Sequence, residues 1–247
     1  MTSIQLAENA PAIACDALCK AYRRHAALQN LTLTVSSGEA YLLTGPNGSG
    51  KTTLLRLICG LGWPDSGRIS IMGTALGPLS TRVLSRVSYV PADGGYYPNL
   101  TVIRNINLAA DLSPRAKPPD ISRQVARGLG LTSMLDRRAV ALSKGQKKRL
   151  AIACALARLP EVLILDEPFA HIDVPTSRKL MAGLLESCTS QGLTILMSTL
   201  AIPPQTAIRT RYRVGVLNAG RITRETTVDG PLSYQAMLSI ISVDDPQ

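Results

Sequence analysis

A glycine-rich segment at residues 45–52, Gly-Pro-Asn-Gly-Ser-Gly-Lys-Thr, constrains the fold of this 247-residue chain more than any other feature. It fits the pattern G-x-x-x-x-G-K-[ST] and lies between an apolar run at 40–44 and a helical pattern at 51–59. Glycines at such a strand-to-helix turn let backbone N–H groups point at phosphate oxygens, and the helix N-terminus adds a favourable dipole. The segment therefore predicts a phosphate-binding loop in an α/β protein.

The side chains at the end of this phosphate loop predict a nucleotide with Mg²⁺ as the ligand. In this motif the lysine, Lys51, reaches the β- and γ-phosphates, and the hydroxyl of Thr52 binds Mg²⁺. The residues predicted to bind the nucleotide are Gly45, Pro46, Asn47, Gly48, Ser49, Gly50, Lys51, Thr52 and Thr53.

Two adjacent carboxylates end a second apolar run. Residues 162–165, Val-Leu-Ile-Leu, are followed directly by Asp166 and Glu167. Open α/β sheets bind ligands at the carboxyl edge of their strands, so we expect Asp166 to meet the metal and Glu167 to polarise a water molecule. Taken alone, the pair also fits an acidic turn after a buried strand. Together with the phosphate loop, it predicts a hydrolytic site with Glu167 as the catalytic residue.

Short apolar runs alternate with helical patterns along most of the chain, which is typical of an α/β fold. Strands are predicted at 13–18, 31–35, 40–44, 67–72, 87–90, 162–165, 193–197 and 213–217, and helices at 51–59, 102–111, 121–129, 144–158 and 174–191. The runs at 162–165 and 193–197 are apolar throughout, so they predict central strands buried on both faces of a sheet. Between 98 and 142 the pattern becomes helical, which predicts a helical subdomain inserted into the core.

The charge balance favours an anionic partner without choosing one. The chain carries 27 Lys and Arg against 17 Asp and Glu, a net charge of +10. This excess suits a nucleotide, a nucleic acid or the anionic inner face of a membrane, and it equally fits a basic surface with no single partner. Five cysteines without a C-x-x-C pair predict neither a disulfide framework nor a zinc site. Residues 1–14 lack the pattern of a secretory signal, and the uncharged stretch at 187–208 fits a buried strand and its exit.

A third motif indicates the family. Residues 142–146, Leu-Ser-Lys-Gly-Gln, resemble the LSGGQ signature of ATP-binding cassette (ABC) ATPases, with Lys144 in place of a glycine. With the two motifs above, in this order and separation, the resemblance covers residues 12–224. It implies an α/β P-loop NTPase core of ABC type with a helical subdomain inserted at 98–157 and an N-terminal antiparallel β subdomain. The expected domain is 12–230, followed by a tail at 231–247.

In the ABC family two nucleotide-binding domains face each other head to tail, and each ATP lies between one domain's phosphate loop and the other's signature. The resemblance therefore implies ATP and Mg²⁺ as cofactors, and contacts from Ser143, Gly145 and Gln146 to the γ-phosphate held by the opposite subunit. Tyr22 stands where the family places an aromatic ring that stacks on adenine, and a half-buried tyrosine at a strand end is the alternative. Asp173 matches the loop that crosses the dimer interface.

Two positions depart from the family pattern. After the strand at 87–90 and a proline, the family has a Gln that senses the metal and the attacking water, and this chain has Ala92. After the strand at 193–197 the family has a His that contacts the γ-phosphate, and this chain has Leu200. Because loss of one preorganised polar contact costs about 10²- to 10³-fold in rate, we expect impaired hydrolysis in a homodimer. His171 and Asp93 are poor substitutes, because the first lies in a different loop and the second is one residue late.

The segment at 96–101, Tyr-Tyr-Pro-Asn-Leu-Thr, followed by Asn105, resembles separate-subunit exporter ATPases of the antibiotic and lantibiotic type, as does the LSKG form of the signature. The resemblance implies a groove for a short cytoplasmic helix of the permease. A turn followed by an N-capped helix starting near Thr101 is the alternative.

These features together predict the ATPase of a membrane exporter. We expect it to drive a separate transmembrane permease, to pair with a second ABC subunit of the same or another sequence, and to lie in the cytoplasm on the inner face of the cell membrane. The alternatives are a nucleotide-gated regulatory subunit with little turnover, and a soluble ABC ATPase that acts on nucleic acid or the ribosome. ABC ATPases that act on nucleic acid or the ribosome usually carry a long coiled-coil arm or a second cassette. Because neither fits between Gly45 and Asp166, no nucleic-acid partner is expected.

Overall fold

The computed structural model describes residues 10–115, 118–200 and 211–230. Within these ranges the chain folds into two β-sheets and a set of α-helices. The strands are β1 (Ile13–Tyr22), β2 (His25–Val35), β3 (Ala40–Thr44), β4 (Ser66–Ile71), β5 (Thr74–Ala75), β6 (Val87–Val90), β7 (Val162–Asp166), β8 (Thr194–Thr199), β9 (Arg211–Asn218) and β10 (Arg221–Asp229). The helices are α1 (Lys51–Ile58), α2 (Thr81–Leu84), α3 (Val102–Asp111), α4 (Ile121–Gly128), α5 (Lys144–Ala157) and α6 (Val174–Gln191).

The larger sheet carries the elements that surround the two predicted motifs. Its strand order is β10-β9-β3-β8-β7-β6, and all neighbours are parallel except the edge pair β10 and β9. Every residue of β3, β7 and β8 is buried, as the apolar runs predict for strands covered on both faces. Because these strands are parallel, their carboxyl ends meet at one edge of the sheet. We call this edge, formed by the ends of β3, β7 and β8, the catalytic edge.

The smaller sheet is antiparallel, with the order β2-β1-β4-β5. Its apolar residues, among them Ile13 and Leu31, join one core with Leu54 of α1 and with Leu43 and Ile164 of the larger sheet. The α/β P-loop core with an N-terminal antiparallel β subdomain is thus confirmed. β1 extends beyond the predicted 13–18 to Tyr22, through irregular pairing with β2.

The inserted helices form a cluster of their own. Apolar side chains of α3, α4 and α5, including Val102, Ala126 and Leu150, pack together in a separate core. These helices lie inside the predicted range 98–157, while the domain boundaries themselves stay predictions. α5 connects this cluster to the larger sheet, since Ile152 packs in the core that contains β7 and β8.

Among the strands and α-helices of the described residues, three were missing from the sequence prediction: β5, α2 and β10. β5 and α2 are short, and β10 is mostly exposed, so none carries a clear apolar period. Backbone pairing with β9 along Arg221–Asp229 holds β10 in place instead. In the part of the chain that the structure describes, no helix combines the length and apolar character needed to cross a bilayer. The predicted tail at 231–247 lies outside the described residues.

Candidate nucleotide site

The phosphate loop turns from β3 into α1 with a backbone that only glycine accommodates at two points. Gly45 has φ 147° and Gly50 has φ 108°, both in the region that side chains disfavour. A Cβ on Gly45 would lie 2.0 Å from the carbonyl oxygen of Leu217, and one on Gly50 would lie 2.3 Å from that of Ala27. The glycines therefore let the loop sit against β9 and β2. This close packing leaves Pro46, Asn47 and Gly48 exposed to receive a ligand.

The ammonium of Lys51 lies inside this loop. Its Nζ donates hydrogen bonds to the carbonyl oxygens of Gly45 at 2.8 Å and Pro46 at 3.0 Å. Burial lowers the pKa of Lys51, and the nearby carboxylates of Glu167 and Asp166 oppose that shift. The loop thus holds a cation at its centre, with the carboxylates close enough to interact with it electrostatically.

The donors and acceptors around the loop fit a phosphate and a magnesium ion. The hydroxyl of Ser49 is buried without a hydrogen-bond partner among the described residues, and an added Cβ at Gly48 would meet open space. Thr52 at the start of α1 is exposed, Thr53 follows it, and Asp166 supplies a carboxylate from the end of β7, two strands from β3. Hydroxyl and carboxylate oxygens are the hard ligands that Mg²⁺ prefers, and it commonly takes only one or two from protein. The residues predicted for ATP and Mg²⁺ therefore suit them chemically.

Asp166 ends β7 beside Ser198 of β8, its partner in the parallel register. The buried hydroxyl of Ser198 donates to Oδ1 of Asp166 at 2.5 Å and accepts the backbone N–H of Glu167 at 3.0 Å. Tyr89 of β6 donates from its hydroxyl to Oδ2 of Asp166 at 3.4 Å. One serine thus orients both acidic residues. Ser198 is not among the residues that the sequence predicts for the site, because the β7–β8 register that pairs it with Asp166 cannot be read from one strand.

Glu167 is oriented by the backbone of Leu200, one of the two positions that depart from the ABC family pattern. Its Oε2 accepts a hydrogen bond from the N–H of Leu200 at 3.2 Å, while the Leu200 side chain is 48% exposed. Glu167 itself has φ 49°, a left-handed conformation that is uncommon for a side-chain-bearing residue. Burial raises the pKa of its carboxyl group, and the Leu200 N–H and Lys51 oppose the shift. A carboxylate with a raised pKa is a better proton acceptor, as a general base requires.

The signature residues form the first turn of α5. Ser143 caps the helix: its side chain accepts the N–H of Gln146 at 3.3 Å, and Oε1 of Gln146 accepts the N–H of Ser143 at 2.9 Å. Gly145 lies against the loop before α6, since an added Cβ would be 3.1 Å from the carbonyl oxygen of His171. Lys144, in place of the family's glycine, is exposed. Contact of this turn with a nucleotide on a second subunit stays a prediction.

Two further predicted residues occupy defined positions. The ring of Tyr22 is 51% exposed, and Lys20 lies with Nζ 5.6 Å from the ring centroid. Asp65 steadies this strand end by accepting from Lys20 Nζ and from the Ala21 N–H, each at 2.7 Å. Asp173 caps α6 by accepting the N–H of Thr176 at 2.9 Å. Its predicted place at a dimer interface is not tested by these contacts.

The segment at 96–101 contains the predicted N-capped helix and borders a cavity, while the groove for a permease helix stays a prediction. Thr101 caps α3 by accepting the N–H of Arg104, so the N-capped helix exists. The buried Asn105 accepts the N–H of Tyr97 at 2.6 Å and donates to the carbonyl oxygens of Tyr97 and Thr101, which fixes the turn. A cavity also lies here, lined in part by Tyr89, Tyr96, Tyr97, Asn105 and Arg158. The groove and the capped helix are therefore compatible.

We expect Ser198→Ala to lower the rate of Mg²⁺-dependent ATP hydrolysis. The change removes the donor to Asp166 and the acceptor for the Glu167 N–H, and loss of such a supporting hydrogen bond costs about 10- to 100-fold in activity or metal affinity. The measurement is ATP hydrolysis as a function of Mg²⁺ concentration. Ser88→Ala is the matched control, because Ser88 is a buried serine of β6 whose hydroxyl has no partner among the described residues. Equal effects of the two changes would contradict the assigned role of Ser198.

Comparison with known proteins agrees with this geometry. A family model described as "ABC transporter" matches residues 28–170. The molybdate/tungstate import ATP-binding protein WtpC of Pyrococcus horikoshii is 35% identical over 211 residues, which cover 85% of this chain and 60% of that protein. The phosphonates import ATP-binding protein PhnC 1 of Rhodopseudomonas palustris is 35% identical over 246 residues, covering 93% of this chain and 89% of that protein. The chain thus spans less than two thirds of WtpC and most of PhnC 1.

Solved structures share the fold. The dimeric post-hydrolysis state of the ATP-binding cassette MJ0796, bound to ADP and Pi, superposes with a TM-score of 0.78 at 26% identity, covering 88% of this chain and 99% of that one. Both curated relatives named above are import proteins, so the exporter type that the sequence predicted is not confirmed. The match over more than half of the chain, together with these relatives, shows that the protein belongs to the ABC transporter family of ATP-binding subunits.

Proposed function

We propose that this chain is the motor subunit of an ABC transporter, which binds ATP with Mg²⁺ and hydrolyses it slowly to drive a separate membrane permease. The observation that supports this most strongly is the meeting of three elements at the catalytic edge. The phosphate loop follows β3, Asp166 and Glu167 end β7, and Ser198 to Leu200 end β8. A triphosphate held by the loop would have a metal ligand and a general base at the end of β7, which only β8 separates from β3.

The roles of the residues follow from their contacts. The ammonium of Lys51, which bonds to loop carbonyls, is placed to exchange them for phosphate oxygens. Thr52 and Asp166 would hold Mg²⁺, which when bound neutralises negative charge on the phosphates. Glu167, oriented by Ser198 and Leu200, would accept the proton of the attacking water. Tyr22, half-exposed at the end of β1, would stack its ring on adenine.

A second subunit completes the site in this proposal. Ser143, Gly145 and Gln146 lie at an accessible helix N-terminus, where N–H groups and the helix dipole favour an anion. In a head-to-tail pair they would contact the γ-phosphate of the partner. Asp173, which is exposed at the start of α6, would lie at the same interface.

The permease and the membrane belong to the proposal as well. The cavity between Tyr96, Asn105 and α5 is the surface we assign to a cytoplasmic helix of the permease. The subunit would then lie on the cytoplasmic face of the membrane. The proposal includes neither a transported substrate nor a direction, because the import names of the relatives give no support to export.

The nucleotide-gated regulator is the second candidate function, and two positions favour it. Ala92 and Leu200 carry no side-chain hydrogen-bonding group where the family has Gln and His. A chain with slow turnover and an intact phosphate loop would spend most of its time with ATP bound. No observation favours the nucleic-acid or ribosome alternative.

Lys51→Ala is expected to remove ATP binding and is the primary test of the proposal. Two hydrogen bonds to charged phosphates are worth about 1.5 to 3 kcal/mol each, so the dissociation constant should rise at least about 10²-fold. Equilibrium titration with a fluorescent ATP analogue measures this. Lys179→Ala, at an exposed lysine of α6, serves as the control. Unaltered affinity in Lys51→Ala would refute nucleotide binding in the loop.

Leu200→His should leave ATP affinity unchanged and raise the hydrolysis rate. The change restores a polar side chain next to Glu167, and one such contact is worth up to about 10²- to 10³-fold in rate. Single-turnover hydrolysis, with protein in excess over ATP, can resolve slow rates. An unchanged rate would mean that Leu200 does not limit the chemistry and would remove one of the two positions that favour the regulatory candidate.

Glu167→Gln should accumulate an ATP-bound dimer. The amide keeps the shape of the side chain and loses the ability to accept a proton, so bound ATP persists at the interface. Light scattering after gel filtration, with and without ATP·Mg²⁺, gives the mass. The double variant Glu167→Gln with Ser143→Arg is expected to stay monomeric, because the bulky side chain blocks the signature turn. A monomer with ATP bound in the single variant would contradict the head-to-tail arrangement for this chain alone.

A further inference from the structure

Lys148, one turn into α5, is the one lysine of its helix that is fully buried. Its side chain is 7% exposed, whereas Lys144 is exposed and Lys147 partly so. Nζ of Lys148 donates to the carbonyl oxygens of Ala92 at 2.6 Å, Pro91 at 3.2 Å and Asp166 at 3.3 Å. An ammonium has three N–H donors, so all of them are used.

These three bonds connect three parts of the molecule. Pro91 and Ala92 follow β6, Asp166 ends β7, and Lys148 itself belongs to the helix that begins with the signature turn. Ala92 has no polar side-chain atom with which its loop could be tied to neighbouring elements. Instead, Lys148 donates hydrogen bonds to the backbone carbonyls of Pro91 and Ala92. The same ammonium donates to the backbone carbonyl of Asp166, a predicted metal ligand.

A buried ammonium is costly, which makes a purely space-filling role a poor explanation. Burial lowers the pKa of Lys148, and the negative charges of Asp166, Asp93 and Glu167 oppose the shift. A methionine of similar length would fill the space without the cost of burying a charge, and replacing buried charges by apolar groups is often neutral for stability. The charge therefore fits a task at the catalytic edge.

We propose that Lys148 is a positioning residue of the nucleotide site, which ties the loop at Pro91–Ala92 and the main chain of Asp166 to the signature helix α5. In this role it sets the place of Asp166 and Glu167 relative to α5, and so to whatever the signature turn contacts. It substitutes through the backbone for an anchor that the Ala92 side chain does not provide. This inference rests on the proposed ATPase function.

The hydrogen bonds of Lys148 predict an effect on the rate of ATP hydrolysis but not on the affinity for ATP. None of its three hydrogen bonds goes to the phosphate loop, which holds its own cation, Lys51. Loss of Lys148 should therefore misplace the carboxylates while leaving the phosphate cradle intact. A residue that merely stabilises the fold would instead change both quantities together, or neither.

Lys148→Met tests the inference in the full-length chain. We expect the single-turnover rate of ATP hydrolysis to fall about 10- to 100-fold, the usual effect of losing a supporting contact, with the ATP dissociation constant within about threefold of wild type. Lys148→Arg, which keeps the charge and several donors, should recover part of the rate. Lys179→Met, which removes an exposed lysine from α6, should change neither quantity. Thermal unfolding of each variant reports on the fold.

Several outcomes would overturn the inference. These are an unchanged rate in Lys148→Met, an ATP affinity that falls by the same factor as the rate, and a Lys148→Arg variant as slow as Lys148→Met. If Lys148→Met does not fold, Lys148→Gln replaces it with the same expected loss of rate, because the shorter amide cannot span the loop and the strand. A wild-type chain that binds ATP without hydrolysing it contradicts the proposed function. An active wild type beside an equally active Lys148→Met contradicts this inference alone.

Discussion

The parallel register of β3, β8 and β7 is the constraint on which the rest of the site depends. Thr44 lies opposite Thr199, and Ser198 lies opposite Asp166, so the phosphate loop, the two carboxylates and the Leu200 backbone emerge together. A slip of one residue in any of these strands would move its side chains into the core on the opposite face, which makes the register costly to change. Core packing on both faces thus places the chemistry at the edge.

Charge balance at this edge comes from two buried cations. Lys51 lies in the phosphate loop and Lys148 reaches in from α5, and both act electrostatically on Asp166 and Glu167. Each ammonium donates to backbone carbonyls, Lys51 to two and Lys148 to three, which offsets part of the cost of burying its charge. The two lysines differ in what they hold, because one organises the loop and the other the carboxylates. In the proposed roles, ATP binding and the chemical step would therefore depend on separate cations.

Backbone groups make the polar contacts at Leu200 and Ala92, the two positions where the ABC family has His and Gln side chains. At Leu200 the N–H reaches Glu167, and at Ala92 the carbonyl accepts from Lys148. Main-chain contacts of this kind fix position but bring no additional polar side chain to the phosphate. This arrangement supports an ordered site with slow chemistry. Such a site fits both candidate functions, the motor subunit and the nucleotide-gated regulator.

The phosphate loop, the Asp166–Glu167 pair, the signature turn and the alternation of strands and helices can be recognised without a structure, because each is a local pattern of a few adjacent residues. The sequence also indicated the family, while its exporter interpretation is not confirmed by the relatives. Only the tertiary structure decided that Ser198 bridges the two acidic residues and that Lys148 ties Ala92 to Asp166. Those contacts join residues far apart in the chain, and they exist because strand register and helix packing bring the residues together. β10 was missed for the same reason, since pairing with β9 forms it rather than an apolar period of its own.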